Sequence, residues 1–485
     1  MSGNVTADMQ AARDEAGESR NRYPVYLPTL PPSWRYERFG KILDVQGGSQ
    51  PPKSQFIYDP KEGYVQLLQI RDFGERSVPT FVREDAISKT CVEDDVLIAR
   101  YGASLGRIVT GKAGAYNVAL AKVIYDKNLF YNRYLFYLLQ TPFFQTPIHM
   151  ISRSAQNGFN KGDLSDILLP VARFQEQQQI VAEIEKQFTR LEAGVAGLRR
   201  VQANLKRYRA AVLKAACEGK LVPTEAELAR QEGRVYETGA QLLERILTER
   251  RQKWNAKQKY KKPTITEKKN LEELPDGWIW ATAEQICEFI TKGTTPHADK
   301  LHSGSGEVQF LKVYNLTFTG RLDHQYKPVF VDRKTHDGEL ARSKVKSGDV
   351  LINIVGPPLG QVCIVPDDVS EANINQAIAR FSSLDVVFNR FLSTAFQSEA
   401  VMSWAIRRAK TTAGQANLTL EVCRDLPVPL PPFGEQQRIV AEVDRRLSVV
   451  EELEASVSAN HQRATRLRRS ILQKAFSGSL VHRSN

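Results

Sequence analysis

The sequence predicts an α+β fold in which two β-rich domains are joined by two long antiparallel coiled-coil helices, with an internal pseudo-two-fold repeat. The first observation is that FQEQQQIVAEIEKQF at 174–188 returns as FGEQQRIVAEVDRRL at 433–447, with eight of fifteen positions identical. The second is that each copy begins a long series of apolar residues at three- and four-residue spacing. Helices that carry one apolar stripe must bury it, and two equal helices can bury their stripes against each other.

The repeat extends over most of the 485 residues, which are too many for one ordinary core. The recurring blocks are LPPSWRY (30–36) and LPDGWIW (274–280), GGSQPP (47–52) and KGTTPH (292–297), VQLLQIRD (65–72) and VQFLKVYN (308–315), DDVLIARYGASLGRI (94–108) and GDVLINIVGPPLGQV (348–362), and NVALAK (117–122) and NQAIAR (375–380). From Ala155 and Gly414 onward the copies stay 259 positions apart as far as Val222 and Val481. Each half therefore consists of an N-terminal part of variable length, which we call the front, and a C-terminal part of fixed length, which we call the back.

The fronts have the pattern of mixed, β-rich domains. YVQLLQI and VLIARYG are short apolar runs bounded by Gly, Asp and Pro, which is typical of strands. NLFYNRYLFYLLQTPFFQ and VVFNRFLSTAFQSEAVMSWAIRRA have apolar residues at helical spacing. Each front therefore combines a sheet with a few helices.

The backs carry an a/d heptad series, which predicts two helices of about 40 residues, ~60 Å long. The series is Val181, Ile184, Phe188, Leu191, Val195, Leu198, Gln202, Leu205, Arg209 and Val212, and then Val440, Val443, Leu447, Val450, Glu454, Val457, His461, Ala464, Arg468 and Ile471. The polar members are expected to fix the register of the pair, and Gly219 and Gly478 to cap the helix ends. The alternative is that each helix packs only on its own domain.

These patterns divide the chain into six segments. They are an N-terminal tail (1–28), a first domain (29–173), a central helix (174–223), a helical basic linker (224–270), a second domain (271–432) and a C-terminal helix (433–485). In the linker, Thr238 and Gln241 form a capping-box signature before an amphipathic helix. Its basic end, RRQKWNAKQKYKK (250–262), is expected to be a solvated helix end or a contact with phosphates or a partner subunit. In a circular arrangement the tail lies near the C-terminus and supplies the counterpart of the linker.

The net charge, the cysteine spacing and the lack of long apolar runs indicate which partner and which cell compartment to expect. A net charge of +12 suggests an anionic partner, and nucleic acid is the commonest one. The five cysteines, which are Cys91, Cys217, Cys287, Cys363 and Cys423, form no C-x-x-C pair and fit reduced thiols in a cytosol. The polar N-terminus does not resemble a signal peptide, and no run of eighteen apolar residues predicts a membrane span.

No sequence motif points to catalysis by this chain. An amino-methyltransferase needs an Asn/Asp-Pro-Pro-aromatic loop, and VGPPLG at 355–360 lacks both the acceptor and the aromatic residue. GRIVTGKAG at 106–114 comes within one residue of a phosphate loop, but Ala113 lacks the hydroxyl that would hold Mg²⁺. The histidines have no metal-ligand spacing. The acidic pairs 94–95 and 367–368 fit strand-edge turns better than a nuclease site.

The repeated halves resemble the specificity subunit of type I restriction–modification systems. The motifs that carry this resemblance are LPDGW, GDVLI, NQA and, above all, L-P-P-x-x-E-Q-x-x-I-V at 430–440, which recurs in the first half as LPVARFQEQQQIV. The first copy departs from the motif where Ala172-Arg173 replace Pro431-Pro432. The resemblance covers residues 30–485.

The resemblance implies two target recognition domains that each read half of a bipartite double-stranded DNA site, held apart by the paired helices. It also implies two methyltransferase subunits and restriction/translocase subunits as partners, in the cytoplasm and without a membrane. Adenine methylation and restriction would then use S-adenosylmethionine, ATP and Mg²⁺ on those partners, and this chain would hold no cofactor, no metal and no catalytic residue. The alternatives are a self-contained DNA methyltransferase or nuclease with duplicated recognition domains, and a coiled-coil scaffold that binds no DNA.

Residues that contact DNA are expected in loops of the fronts, where Arg, Lys, Asn, Gln and small polar groups can reach phosphates or base edges. The candidates are Lys53, Arg71, Arg100, Tyr101, Arg107, Arg153, Asn160 and Lys161 in the first domain, and Lys292, Thr294, Lys312, Asn315, Arg408, Lys410, Gln415 and Asn417 in the second. The segments SRSAQNGFNKGD (152–163) and RRAKTTAGQANLT (407–419) are the strongest, because small residues alternate there with hydrogen-bond donors.

Overall fold

The chain forms two compact units in a computed structural model that describes residues 23, 25–74, 77–154, 158–253, 263, 271–383, 386–412 and 414–481. The first unit consists of residues up to Arg199 together with those from Ser458 onward, and the second is Arg200–Val457. Each of the two long helices therefore contributes one part to each unit.

The first unit begins with a mixed β-rich domain. Its strands are β1 (Arg35–Arg38), β2 (Leu43–Gly47), β3 (Tyr64–Leu68), β4 (Phe81–Arg83), β5 (Thr90–Cys91), β6 (Leu97–Ala99), β7 (Ile108–Val109), β8 (Gly114–Tyr116), β9 (Leu120–Tyr125) and β10 (Leu168–Val171). Its helices are α1 (Phe39–Ile42), α2 (Asn132–Leu138), α3 (Pro142–Ser154), α4 (Lys161–Leu164) and the first part of α5 (Phe174–Cys217). The predicted strands and the predicted helical pair are all present.

Three sheets build this domain. Strands β1 and β10 pair antiparallel, and β2-β9-β6-β7 form a four-stranded antiparallel sheet. The third sheet has the order β4-β3-β8-β5, in which β3 and β8 run parallel. Helices α2 and α3 cover the second sheet through a core that includes Phe39, Tyr134 and Phe144, which are almost completely buried.

The second unit begins with a helical segment and continues into its own β-rich domain. Its helices are the rest of α5, α6 (Glu225–Glu232), α7 (Gly239–Lys253), α8 (Ala283–Ile286), α9 (Arg333–Asp337), α10 (Val386–Gln397), α11 (Glu399–Ile406), α12 (Leu420–Arg424) and the first part of α13 (Phe433–Phe476). Its strands are β11 (Ile279–Thr282), β12 (Cys287–Lys292), β13 (His302–Ser303), β14 (Val308–Leu311), β15 (Val329–Val331), β16 (Lys344–Lys346), β17 (Val350–Asn353), β18 (Val362–Ile364), β19 (Glu371–Ile374), β20 (Ile378–Ser383), β21 (Lys410–Thr412), β22 (Gln415–Asn417) and β23 (Pro427–Leu430).

The sheets of the second unit have strand orders that correspond to those of the first. Strands β11 and β23 pair antiparallel, and β12-β20-β17-β18 form a four-stranded antiparallel sheet. The third sheet has the order β13-β15-β14-β19-β16, again with one parallel pair, β14 and β19. The second unit adds a short hairpin, β21–β22, which precedes α12.

The long helices α5 and α13 each contain 44 residues, which corresponds to ~66 Å. Most residues of the predicted a/d series are buried or half-buried, whereas Gln202 is exposed. The predicted glycine caps are present, since Gly219 and Gly478 adopt positive φ values of 66° and 77° directly after the helices. The a/d pattern therefore identified the buried stripe of both helices.

Within each unit, the beginning of one long helix packs beside the end of the other. In the first unit, Arg468 of α13 lies over the Phe188 ring of α5 at 4.0 Å and pairs with Glu192 at 3.3 Å. In the second unit, Arg209 of α5 pairs with Glu454 of α13 at 3.5 Å. The helix parts of each unit also join the core of the β-rich domain in that unit.

A glutamate carboxylate at the start of each long helix, half-buried in Glu176 and buried in Glu435, accepts a hydrogen bond from the indole N–H of the tryptophan just before the first strand of the domain. In the first unit, Glu176 accepts hydrogen bonds from Trp34 Nε1 at 2.8 Å and Ser33 Oγ at 3.0 Å. In the second unit, Glu435 accepts from Trp278 Nε1 at 3.0 Å and from the backbone N–H of Glu225 at 2.8 Å. Burial raises the pKa of the Glu435 carboxyl. The repeated Trp and Glu of the sequence therefore bind each other in both units. We call the pairs Trp34–Glu176 and Trp278–Glu435 the Trp–Glu clasps.

The glutamine that follows each clasp carboxylate ties the helix to its domain. The Gln177 side chain donates to the carbonyl oxygens of Leu129 and Ala172, at 2.8 and 3.0 Å, and accepts from the Tyr131 backbone N–H at 2.8 Å. Gln436 donates to the Pro431 carbonyl oxygen at 3.0 Å. The Glu-Gln pair of the repeated motif thus has a structural reason, which is to fix the first turn of each helix.

The segment after α5 contains the predicted capped helix. Helix α7 starts directly after Thr238, whose hydroxyl accepts from the Gln241 backbone N–H at 3.3 Å while the Gln241 side chain accepts from the Thr238 N–H at 2.8 Å. Most of the basic stretch predicted at 250–262 lies outside the described residues, as does most of the N-terminal tail. Their predicted contacts stay predictions.

We predict that Trp278→Phe lowers the free energy of unfolding by about 1–3 kcal/mol, because it leaves the buried Glu435 acceptor without its indole donor. Trp280→Phe is the matched control, since Trp280 Nε1 donates to the Glu272 carbonyl oxygen at an exposed position. That control should cost clearly less. Urea unfolding of the purified chain measures both, and equal losses for the two variants would contradict the role of the clasp.

Candidate DNA interface

One edge of the larger antiparallel sheet collects several of the residues predicted to bind DNA. In the first unit, β2 ends at Gly47 opposite Ala121, and β6 ends at Ala99 opposite Leu120, where β9 begins. Two strand ends and one strand start therefore meet at the same edge. We call this the recognition edge of the first unit.

Backbone contacts bring two further loops to this edge. The N–H of Ser49 donates to the Tyr116 carbonyl oxygen at 3.1 Å, and the N–H of Asn117 donates to that of Leu68 at 3.1 Å, which adds the end of β3. A Cβ at Gly48 would lie 2.2 Å from two carbonyl oxygens, so only glycine allows this approach. The repeated glycine-rich turn is thus needed for the backbones to come together.

The predicted residues of the first unit occupy different places. Lys53 is exposed in a 3₁₀ turn, Arg71 lies in the turn that follows β3, Arg100 and Tyr101 follow β6, and Arg107 precedes β7. Asn160 caps α4 by accepting from the Asp163 N–H at 3.1 Å, and Lys161 begins that helix. Arg153 lies in α3, and its side chain is outside the described part of the structure.

Two small clusters form from these residues. Arg100 lies 5.1 Å from the Tyr101 ring and 6.0 Å from the Phe159 ring. Arg107 donates to the Phe73 carbonyl oxygen at 2.6 Å, in the same turn as Arg71. Lys161 is separate, because it pairs with Asp44 at 2.6 Å near the start of β2, and this bond lowers the pKa of the Asp44 carboxyl.

The second unit has a corresponding recognition edge. Strand β12 ends at Lys292 opposite Ala379, and β17 ends at Asn353 opposite Ile378. The N–H of Thr294 donates to the Ile374 carbonyl oxygen at 3.2 Å, and the N–H of Asn375 donates to that of Leu311 at 3.1 Å. These contacts place Lys292, Thr294 and Lys312 around one turn.

The β21–β22 hairpin is attached beside this edge. Asn417 bridges to Val355, and the Leu418 N–H donates to the Ile354 carbonyl oxygen at 2.9 Å. Lys410 and Gln415 are exposed on the hairpin. Arg408, just before it, lies 3.9 Å from the Trp404 ring, which holds its guanidinium at the surface. The predicted RRAKTTAGQANLT segment thus forms an exposed hairpin that carries polar and basic groups.

Asn315 is the candidate that the structure argues against. Its side chain is 3 % exposed, accepts from the Lys312 backbone N–H at 2.9 Å, and donates to the carbonyl oxygens of Asp323 and Tyr326. Such an amide closes a loop and has no donor left for a base edge. An Asn after an apolar strand fits both roles, so its sequence context did not separate them.

The positive charge at these edges has few carboxylate partners. Within the described ranges, Lys161 is the only predicted site residue whose side chain forms an ion pair with a carboxylate. The other described candidates, which are Lys53, Arg71, Arg100, Arg107, Lys292, Lys312, Arg408 and Lys410, keep uncompensated charge. Uncompensated lysine and arginine at a strand edge are suited to phosphates and base edges.

The described residues contain no group of three or more His, Cys, Asp or Glu side chains that could hold a metal ion. The Asp94–Asp95 pair belongs to a turn, since Asp95 accepts from the Val92 N–H at 2.9 Å and pairs with Lys122. All five cysteines are buried, and burial raises the pKa of the Cys91 thiol to about 11. These thiols are therefore poor nucleophiles.

Comparison with known proteins agrees with this geometry. Residues 275–455 match the family model of the type I restriction modification DNA specificity domain. The EcoBI specificity subunit of Escherichia coli is 24% identical over 94% of this chain and 88% of its own length. The EcoKI specificity subunit of E. coli strain K12 is 21% identical over 93% and 90% of the two chains.

The predicted resemblance to type I specificity subunits is confirmed. One solved structure, described as concerning complex assembly and conformational transition of the type I R-M system, shares the fold with a TM-score of 0.60 at 18% identity, over 93% of this chain and 99% of that one. None of the helices that the structure describes is long and apolar enough to cross a membrane.

Three residues beside the first recognition edge, Lys112, Phe73 and Phe159, were not among the predicted site residues. Lys112 Nζ lies 5.9 Å from the Phe73 ring, and Phe159 lies beside Arg100. Lys112 follows Gly111 in a turn, whereas Phe159 belongs to the core and Phe73 is half-buried. A basic turn residue close in sequence to Arg107 was the available signal for Lys112, whereas the aromatic contacts depend on tertiary structure.

We predict that Lys410→Ala weakens DNA binding by about 1–3 kcal/mol if the lysine contacts a base, or lowers the salt slope by about 1 if it contacts a phosphate. Lys346→Ala is the control, because Lys346 is also exposed but lies opposite Glu371, at the far end of β19 from the recognition edge. Titration of labelled duplex at several salt concentrations measures both variants. Identical behaviour of the two would remove Lys410 from the interface.

Proposed function

We propose that this chain is the sequence-specific DNA-binding specificity subunit of a type I restriction–modification complex. It would read a bipartite double-stranded site and direct adenine methylation and restriction by partner subunits. The observation that carries the proposal is the occurrence, in each of two units, of the same sheet edge with uncompensated basic side chains. Similarity to named specificity subunits along most of the chain supports it.

Each β-rich domain is a target recognition domain that reads one half of the site. The two domains have corresponding sheets, but the residues at their edges differ, as different half-sites require. The first edge carries Arg100 and Tyr101, and the second carries Lys292, Lys312 and the exposed hairpin. The target is therefore asymmetric. The boundaries of these readers are those expected from the sequence, 29–173 and 271–432.

The two long helices form the spacer between the readers, as an antiparallel coiled coil with a pseudo-two-fold repeat. Their supporting contacts are the Arg468–Glu192 and Arg209–Glu454 pairs and the heptad series. Helices of ~66 Å are long enough to hold readers at half-sites that lie one DNA turn, ~34–36 Å, apart. Helices of fixed length, combined with domains of variable length, fit a spacer that sets the distance between exchangeable DNA-binding domains.

Catalysis belongs to partners in this proposal. Two methyltransferase subunits would supply S-adenosylmethionine chemistry, and restriction/translocase subunits would use ATP and Mg²⁺, all in the cytoplasm where the DNA is. This chain would hold none of these cofactors. A self-contained methyltransferase or nuclease is not favoured, because the sequence lacks the Asn/Asp-Pro-Pro-aromatic loop and metal-ligand spacing.

Exchange of residues 29–173 for the equivalent domain of another specificity subunit should change one half of the methylated site and leave the other half intact. The reason is that each reader contacts its own half-site. Methylome sequencing of a host that expresses the chimaera with its partners gives the result. A simultaneous change of both halves would contradict separate readers, and methyl transfer by the purified chain alone would contradict a non-catalytic subunit.

Insertion of seven residues into both long helices, after Val195 and after Glu454, should lengthen the nonspecific spacer. One heptad in each helix preserves the apolar seam and adds ~10.5 Å, or about three base pairs. Three pairs also rotate the groove by about 100°, so binding should weaken unless the DNA or protein twists. Methylation at the original spacer length with unchanged affinity would show that the helices do not set the distance. Insertion into one helix alone is the control and should disrupt the pairing.

A further inference from the structure

We propose that Arg100 is the side chain with which the first unit reads a guanine in its half-site. This inference rests on the proposed function, because it assigns one base contact within the recognition edge. Arginine is the residue most often used for guanine, since its planar fork donates to the O6 and N7 acceptors together.

Arg100 directly follows β6, at the point where the strand ends in the recognition edge. Its backbone N–H donates to the Ala119 carbonyl oxygen at 2.8 Å, which continues the sheet pairing one residue beyond the strand. The base of the side chain is therefore fixed by the sheet. A reader fixed in this way loses less conformational entropy on binding than one on a mobile loop.

The guanidinium is held by aromatic rings rather than by a carboxylate. Its central carbon lies 5.1 Å from the Tyr101 ring and 6.0 Å from the Phe159 ring, and one terminal nitrogen donates to the Phe159 carbonyl oxygen at 3.4 Å. Contact with aromatic faces leaves the N–H donors in the plane of the fork available. No carboxylate of the described residues pairs with it. The group is both oriented and unneutralised.

The lack of a side chain at Gly47 leaves room for the Arg100 guanidinium at the recognition edge. A Cβ at Gly47, the last residue of β2, would lie 2.6 Å from Arg100 Nη1. A single methyl group at Gly47 therefore displaces the guanidinium without changing the charge of the domain. This close contact gives a test that is independent of removing Arg100 itself.

The second unit lacks an equivalent. The residue that corresponds to Arg100 in the repeated block is Ile354, which is 3 % exposed and lies under the hairpin through the Leu418 N–H bond. Arg71 and Arg107 of the first unit are more exposed than Arg100, and no aromatic ring holds either guanidinium within the described residues. Among the described basic candidates of the first unit, Arg100 thus differs in lying near two aromatic rings directly after a strand.

The test uses the complete chain assembled with its methyltransferase partners, presented with a pool of randomised duplexes. The variants are Arg100→Ala, Arg100→Lys, which keeps the charge but loses the fork, and Gly47→Ala, which moves the fork. Arg83→Ala is the control. Arg83 pairs with Asp85 at an exposed position. It lies opposite Tyr64 in the β3–β4 pair, at the end of that sheet farther from the recognition edge. The half-site of the first unit is the one that changes when residues 29–173 are exchanged.

We expect the wild-type complex to select a guanine in that half-site. Arg100→Ala should lower the preference for guanine at this one position by about 5- to 150-fold, the equivalent of ~1–3 kcal/mol, and leave the other half-site unchanged. Arg100→Lys and Gly47→Ala should weaken the same position with a smaller loss of total affinity. Arg83→Ala should select the wild-type sequence.

Three results would overturn the assignment of Arg100. They are a half-site without guanine, an unchanged preference in Arg100→Ala, and a uniform loss of affinity for all sequences, which would indicate a phosphate contact. If Arg100→Ala fails to assemble, Arg100→Lys and Gly47→Ala decide by the same readout. A wild-type complex without any sequence preference would instead contradict the proposed function, so the two failures are distinct.

Discussion

In each unit, the hydrogen bond between a tryptophan indole and a glutamate carboxylate joins the β-rich domain to the start of a long helix, and the position of the domain on that helix depends on it. Glu435 has no exposed surface, so its carboxylate needs both Trp278 and the Glu225 N–H to offset the loss of hydration. In the first unit Trp34 and Ser33 fill the same role toward Glu176. The clasp connects residues that lie ~140–160 positions apart, and it fixes where the domain ends and the helix begins.

The spacing of apolar residues in the sequence was sufficient to predict the two long helices and several strands. The a/d series predicted the buried stripe of α5 and α13 because a heptad pattern is a direct record of one-sided burial. Short apolar runs predicted β3 and β6 for the same reason. The Trp–Glu clasp could not be predicted, although both partners stood in the repeated blocks, because their pairing depends on how distant segments meet. Gln202 is exposed in spite of its a/d position, since a polar residue gains little from burial there.

The candidate DNA interface could be predicted from the sequence only as a set of basic and polar residues in loops. Arg100 was a candidate as a basic residue in a loop, and Lys410 because small residues alternate with donors in its segment. The structure places Arg100 directly after β6 and Lys410 at the start of β21. Asn315 matched the same rule but closes a loop through three internal hydrogen bonds. Its two donor bonds go to carbonyl oxygens 8 and 11 positions away and its acceptor receives an N–H 3 positions away, and nothing in the local pattern reveals the two distant partners. Recognition by loops therefore limits what a single sequence can show.

The division of the long helices between units has a consequence for synthesis of the chain. The core of the first unit includes Ile471, Leu472 and Phe476, which the ribosome adds only after it has completed residues 200–457 of the second unit. Until then, the apolar faces of Ile184 and Phe188 have no partner from α13 and stay open to aggregation or chaperones. The second unit, in contrast, draws only on residues 200–457. The domain that is translated first is therefore the last to complete its core.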